Sequence, residues 1–364
     1  MKKIFLAVSV LFFGYVAIAQ TGTYYVSGKV IDAVTKAPLQ AASVFAQNTT
    51  QGATTNAEGN FKLGLSNGGY DLVITFSGYQ TETRRISTSD ATDNMLIELK
   101  VKEKEMENVV ITSSSEVKDG WQKYGTFFLQ NFIGETDNSK LCTIKNPEVL
   151  KFYFSKKRNR LKILSSEPIE IVNEALGYHI KYTIDSFTYE YNTQTTLYTG
   201  YPLFEEMRSA DTAKQQLWAA NRVKAYKGSM LHFMRSLDNK QLKEEGFEIQ
   251  FLLKTNDKEN AIPLTNFYGA MNYDKDDSTK TVAVKPNQDN LFLIYNKEKP
   301  EQAYIAANPD APAKFQLSIL NFTAGETIVI EENGYYFDQT DIIKNEYLAW
   351  KKMADMLPFD FKNN

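Results

Sequence analysis

The chain has 364 residues, 43% apolar and 23% charged, with a formal net charge of −3. That length fits two domains of ~150 residues each, and the composition excludes a disordered chain. Near-balanced charge excludes the clustered cations of a nucleic-acid surface, and a lone Cys142 beside two histidines excludes disulfide, four-cysteine zinc and iron–sulfur frameworks; no cofactor or metal is expected.

The amino terminus reads as an export signal. Lys2 and Lys3 precede the apolar run Ile4 to Ile18, and Ala17 and Ala19 supply the small residues of an A-x-A cleavage site. Ile4 to Ala19 falls short of the ~20 residues that span a bilayer. Cleavage after Ala19 would leave a chain beginning at Gln20, with no cysteine there to carry a lipid anchor. No later stretch is apolar for long enough to form a transmembrane span. The expected location is therefore the periplasm, the outer membrane or the cell surface.

From Tyr24 to residue 100, short runs alternate apolar and polar residues between turn formers, as in an antiparallel sandwich. Val26, Gly28 and Val30 share a face, as do Ala42, Val44 and Ala46. Phe61, Leu63 and Leu65 follow a turn in which Gly59 can take positive φ, and Tyr70, Leu72, Ile74 and Phe76 alternate strongly. Ile86 and Met95 to Leu99 finish the sheet.

Three motifs in order carry a resemblance here: G-K-V-I-D-x-x-T-K-x-P-L-x-x-A-x-V at Gly28 to Val44, T-x-x-E-G-N-F at Thr55 to Phe61, and Y-x-L-x-I-T-F-S-G-Y at Tyr70 to Tyr79. They resemble the carboxypeptidase regulatory-like (transthyretin-like) domain. The resemblance implies a seven-stranded transthyretin-like or Ig-like β-sandwich, an accessory module of metallocarboxypeptidases and of exported Gram-negative envelope proteins. It implies a setting and no reaction. A zinc carboxypeptidase needs an H-x-x-E pair and a third histidine, but Tyr182 stands three residues after His179 and Arg235 three after His232. The remaining length also excludes the large barrel of a TonB-dependent receptor.

Residues 101–115 read as a linker, charged at first and ending in three serines. Residues 116–364 read as one larger α+β domain with mainly antiparallel strands, making the whole chain β-rich. Trp121, Tyr124, Phe128 and Phe132 predict an amphipathic helix over 118–133. Strands are predicted at 152–154 and 161–164, then a long hairpin with its tip at Asn192 to Gln194. A helical pattern from Asp211 to Leu242 is broken at Gly228. Strands return at 247–253, 281–284, 291–295, 315–322 and 327–330, and a closing helix is predicted from Ile342 to Met356.

The words Leu176-Gly177-Tyr178, Tyr198 to Glu206, Asn221 to Leu237, Glu245-Gly246-Phe247 and Met353 to Pro358 are similar to an uncharacterised family of exported proteins bearing the same sandwich. That resemblance carries no site across.

His232 is the leading catalytic candidate. On a helix it has Ser229 at i−3 and Ser236 at i+4, the spacings at which an imidazole base would meet a nucleophile. Glu205-Glu206 and Glu244-Glu245 are candidate acids, and one from each pair, Glu205 with Glu245, would flank a glycosidic bond in the hydrolase reading. Asp274, Asp276 and Asp277 read as a charged hairpin tip, for the glycine and late glutamate of a calcium loop are missing. Ser115-Glu116-Val117-Lys118 fits S-x-x-K without its companion motifs. Cys142 reads as a small apolar residue. Tyr198, Tyr201, Tyr335 and Tyr336 are candidate binding residues, their rings offering stacking faces to a protein or sugar. The function expected is a non-catalytic exported envelope protein that binds or assembles with an envelope protein or a glycan. The alternative is a hydrolase with His232 as general base.

Overall fold

A computed structural model describes residues 22–102, 116–255 and 258–363. The segment expected to be an export signal, most of the expected linker (residues 103–115) and with it Ser115 of the S-x-x-K word lie outside them.

Seven strands form the amino-terminal unit as two facing sheets. Strand Thr23–Asp32 pairs antiparallel with Asn60–Ser66 and parallel with Met95–Leu99. The facing sheet has the order Gly52–Thr54, Ser43–Ala46, Tyr70–Thr75, Glu82–Ile86. The alternation sets what lies between them: Val26, Val30, Val44, Leu63, Leu72 and Ile74 are all buried. A Cβ on Gly28 would stand 2.3 Å from the Met95 carbonyl oxygen, so the close parallel pairing depends on glycine there.

The outer face of the second sheet is covered as well. Phe45 and Val73, paired across it, are buried, and the Leu203 side chain reaches the backbone at Gly52. Leu203 belongs to the long hairpin Tyr178–Glu190 and Thr195–Glu206, whose tip falls at the predicted place. The hairpin belongs to a six-stranded antiparallel sheet with strands 142–144, 150–155, 160–165 and 169–173. Helix α1 (Gly120–Phe132) lays Phe128 and Phe132 on it, edge-on to Phe187 at 5.1 Å and Tyr182 at 4.9 Å.

The predicted break at Gly228 separates α2 (Thr212–Tyr226) from α3 (Met230–Asp238). A second core follows, where a five-stranded sheet and a three-stranded sheet enclose Phe233, Leu237, Phe247, Ile249 and Ile330. Asp274 and Asp276 of the acidic word lie on strand 274–276 and Asp277 opens the turn to strand 281–284, with Asp276 Oδ1 accepting from the Ser278 amide at 2.7 Å.

The closing helix does not form. Ile342–Glu346 instead pairs as an edge strand with Gln316–Phe322, and two short turns follow, α-helical at Tyr347–Trp350 and 3-10 at Met353–Asp355. Glu346 at φ 60° ends the strand in a conformation no helix contains. The apolar spacing there suits a helix, but an open sheet edge offers backbone partners, and pairing overrides local preference.

The carboxy-terminal segment joins the parts. The Arg235 guanidinium on α3 donates to the carbonyls of Asn333, Phe359 and Phe361 at 3.0, 2.9 and 2.9 Å. Asp360 accepts from the Thr50 amide at 3.0 Å and the Phe359 amide donates to the Asn48 carbonyl at 2.7 Å. Asn333 Nδ2 donates to the Gly69 carbonyl at 3.0 Å, and Tyr335 OH meets Asp71 at 3.1 Å. The sandwich is thus bonded along its length to the rest of the chain.

Candidate functional site

His232 sits in the first turn of α3, where Ser229 is the N-cap and its Oγ accepts the His232 amide at 3.1 Å. Gly228, at φ +69°, turns its own N–H onto His232 Nδ1 at 3.1 Å. An acceptor at Nδ1 puts the ring proton on Nε2, which donates to Glu245 Oε2 at 3.0 Å. Tyr226, Phe247 and Tyr295 surround the ring at centroid distances of 4.6, 4.8 and 5.6 Å, leaving the residue 3% exposed. Desolvation draws its pKa below the ordinary histidine value, outweighing the Glu245 hydrogen bond and charge.

This arrangement is unlike a catalytic dyad. A general base needs a free lone pair aimed at the proton it removes. The Nδ1 lone pair is taken by Gly228. Ser229 Oγ is the helix cap, and Ser236 Oγ donates to the His232 carbonyl at 2.7 Å. The imidazole is a neutral tie between a helix cap and the Glu245 loop.

The acids are engaged separately. Glu205, on the hairpin edge, pairs with Lys181 at 2.7 Å and faces His179 Nδ1 at 3.5 Å; the Lys181 hydrogen bond holds its pKa below the usual carboxylate value. Glu206 pairs with Arg222 at 3.0 Å, and Glu245 also lies 3.9 Å from Lys297. Cys142 Sγ donates to the Asn138 carbonyl, and burial pushes the thiol pKa up to about 12. Among the described residues, no group of three or more His, Cys, Asp or Glu side chains is placed to hold a metal ion.

The tyrosines divide. Tyr335 and Tyr336, expected to present stacking faces, are instead 2% and 6% exposed: one seals the contact with the sandwich and the other sits in the second core. Tyr201 is half-buried and Tyr198 rests edge-on to Phe132 at 5.3 Å. Tyr198 and Tyr336, far apart in sequence, both reach one cavity.

That cavity, of about 140 Å³, lies where the sandwich, the hairpin, α3 and the carboxy-terminal segment meet. Asn48 comes from the sandwich, Ser229 to Leu231 from the start of α3, and the segment from Lys344 to Phe359 forms one wall. Met230, Leu348 and Met356 give apolar surface; Lys344, Lys351, Lys352 and Asp355 give charge. Asp355 is buried and takes hydrogen bonds from Thr136 Oγ1 and Asn138 Nδ2, both at 2.8 Å, while burial raises its pKa. These lysines are not singled out in the sequence: helical spacing over 342–356 would place Lys344 and Lys351, seven residues apart, on one face, but nothing local shows which elements that face meets. The adjacent pair Lys351-Lys352 was the only local signal.

Among solved structures, a Bacteroides fragilis NCTC 9343 protein described as membrane-associated and of unknown function aligns over 89% of this chain and 95% of its own, at 10% identity and a TM-score of 0.18. A 9R-lipoxygenase from Cyanothece PCC8801 aligns over 59% of this chain and 48% of its own, at 9% identity and a TM-score of 0.18. At those scores neither likeness bears on fold or function. No curated protein matches the chain at a significant level. Residues 26–111 match the CarboxypepD_reg-like domain family, and the chain therefore carries a carboxypeptidase regulatory-like β-sandwich, a non-catalytic module.

Proposed function

We propose that the chain is an exported, non-catalytic binding protein of the cell envelope. Its partner, an envelope protein or a surface glycan, is engaged where the sandwich meets the carboxy-terminal half. One observation carries this reading: Asn48 of the sandwich lines the junction cavity together with residues of the carboxy-terminal half, whereas His232 is sealed with both ring nitrogens committed. Export rests on the first 19 residues, and a regulatory-like sandwich suits that setting. Among the described residues no helix is long and apolar enough to cross a membrane.

Fractionation of cells producing the full chain tests the location. The expected product is an envelope protein whose first residue is Gln20. An unprocessed chain in the cytoplasm overturns export. Turnover of chromogenic ester, amide or glycoside substrates, lost in a folded His232→Asn variant, overturns the non-catalytic assignment.

A further inference from the structure

We propose that the junction cavity binds a small organic anion, its carboxylate or phosphate held by Lys344 and Lys351 and its apolar body lying against Tyr198 and Met230. The proposal rests on the binding-protein reading above and names the ligand class of that site.

Charge in the cavity is unbalanced. Three ammonium groups line it against one carboxylate, and that carboxylate is already committed to Thr136 and Asn138. Lys344 makes no ion pair or side-chain hydrogen bond among the described residues. Lys351 stands over the Tyr347 ring at 5.4 Å and likewise has no carboxylate within ion-pair distance. Lys352 spends one proton on the Gln130 carbonyl at 3.1 Å and keeps the others. Lys344 is exposed at the rim and Lys351 is half-buried; burial lowers the Lys351 pKa although the charges of Asp355, Glu301 and Glu298 oppose that shift. An anion between them would offset the cost of that burial.

The rest of the wall selects an organic ligand. Tyr198, Met230, Leu348 and Met356 offer apolar surface that a hydrated inorganic ion would not use. Asn48, whose Oδ1 is buried without a hydrogen-bond partner, also lines the cavity. The opening amides of α3, at Met230 and Leu231, have no intrahelical carbonyl to bond and add a favourable field for negative charge.

The test is calorimetric titration of the mature protein with benzoate, phenyl phosphate, benzyl alcohol and inorganic phosphate. Benzoate or phenyl phosphate is expected to bind at least tenfold more tightly than benzyl alcohol, and whichever binds better identifies the head group. Inorganic phosphate is expected to bind more weakly than phenyl phosphate. The Lys344→Gln/Lys351→Gln variant should lose at least tenfold in affinity for the anion at an unchanged melting temperature. Lys29→Gln, on an exposed sandwich position, should lose nothing. If benzyl alcohol binds as well as the anions and the lysine variant is indifferent, the anion assignment fails while the binding reading stands. If none of the four binds the folded protein, the anion proposal fails, whereas the binding reading falls only by the location and turnover tests given for it.

Discussion

His232→Ala is expected to cost about 2–4 kcal/mol of folding stability, as cavity formation and an orphaned buried donor together imply. The ring fills the space between Tyr226, Phe247 and Tyr295, and its removal leaves the Gly228 N–H without an acceptor. Two substitutions separate the contributions. His232→Asn keeps an acceptor near Nδ1 and should recover part of the loss. His232→Gln extends a donor toward Glu245, which is partly exposed, and should recover less. Urea unfolding of the three variants checks the order; a His232→Ala protein as stable as the parent contradicts it.

The same residue makes stability depend on pH. Its folded pKa lies below the ordinary 6.5, so the unfolded chain binds the proton more readily. The His232 contribution is therefore complete above pH 6.5 and is lost as pH falls through the folded value. Buried carboxyls with raised pKa, such as Asp71 and Glu331, act in the opposite sense, contributing at low pH and less as pH rises. Comparing parent with His232→Asn at pH 5 and pH 8 cancels those terms, and the parent's advantage should shrink at the lower pH.

Arg235→Ala has the second large effect, about 2–4 kcal/mol, because three carbonyls lose a charged donor at once. Those carbonyls belong to Asn333, Phe359 and Phe361, so the loss should be local as well as global. Limited proteolysis of the variant under native conditions should cut within the carboxy-terminal segment before the sandwich is touched. Arg235→Lys should not rescue it, for an ammonium cannot present a planar fork to three acceptors. A variant with parental protease resistance would show that the segment is held chiefly by its apolar contacts.

The sandwich was legible because its alternation, turns and motifs agree with one another. Val26, Leu63 and Ile74 were assigned inward by period alone, and they are buried. The helix at Trp121 to Phe132, the hairpin tip at Asn192 and the break at Gly228 were legible for the same reason: each depends on chain neighbours. Ile342 to Met356 was not, since its strand exists only by pairing with Gln316–Phe322. The site follows the same rule. His232, Ser229 and Glu245 were singled out by residue type, and they do meet, but the roles of the nitrogens depend on the Gly228 amide, which has no side-chain signature. The cavity lysines could not be placed without the tertiary fold, because Asn48, Tyr198 and Lys344 converge from three separate elements.

The central claim is that His232 is a neutral structural tie and not a general base. Nitrogen-15 spectra of the histidine side chains, recorded across a pH titration of the mature protein, test it most directly. The account predicts a proton on Nε2, an unprotonated Nδ1 in a hydrogen bond, and a midpoint below 6.5. A proton on Nδ1 with Nε2 free, or a midpoint above 6.5, would contradict it.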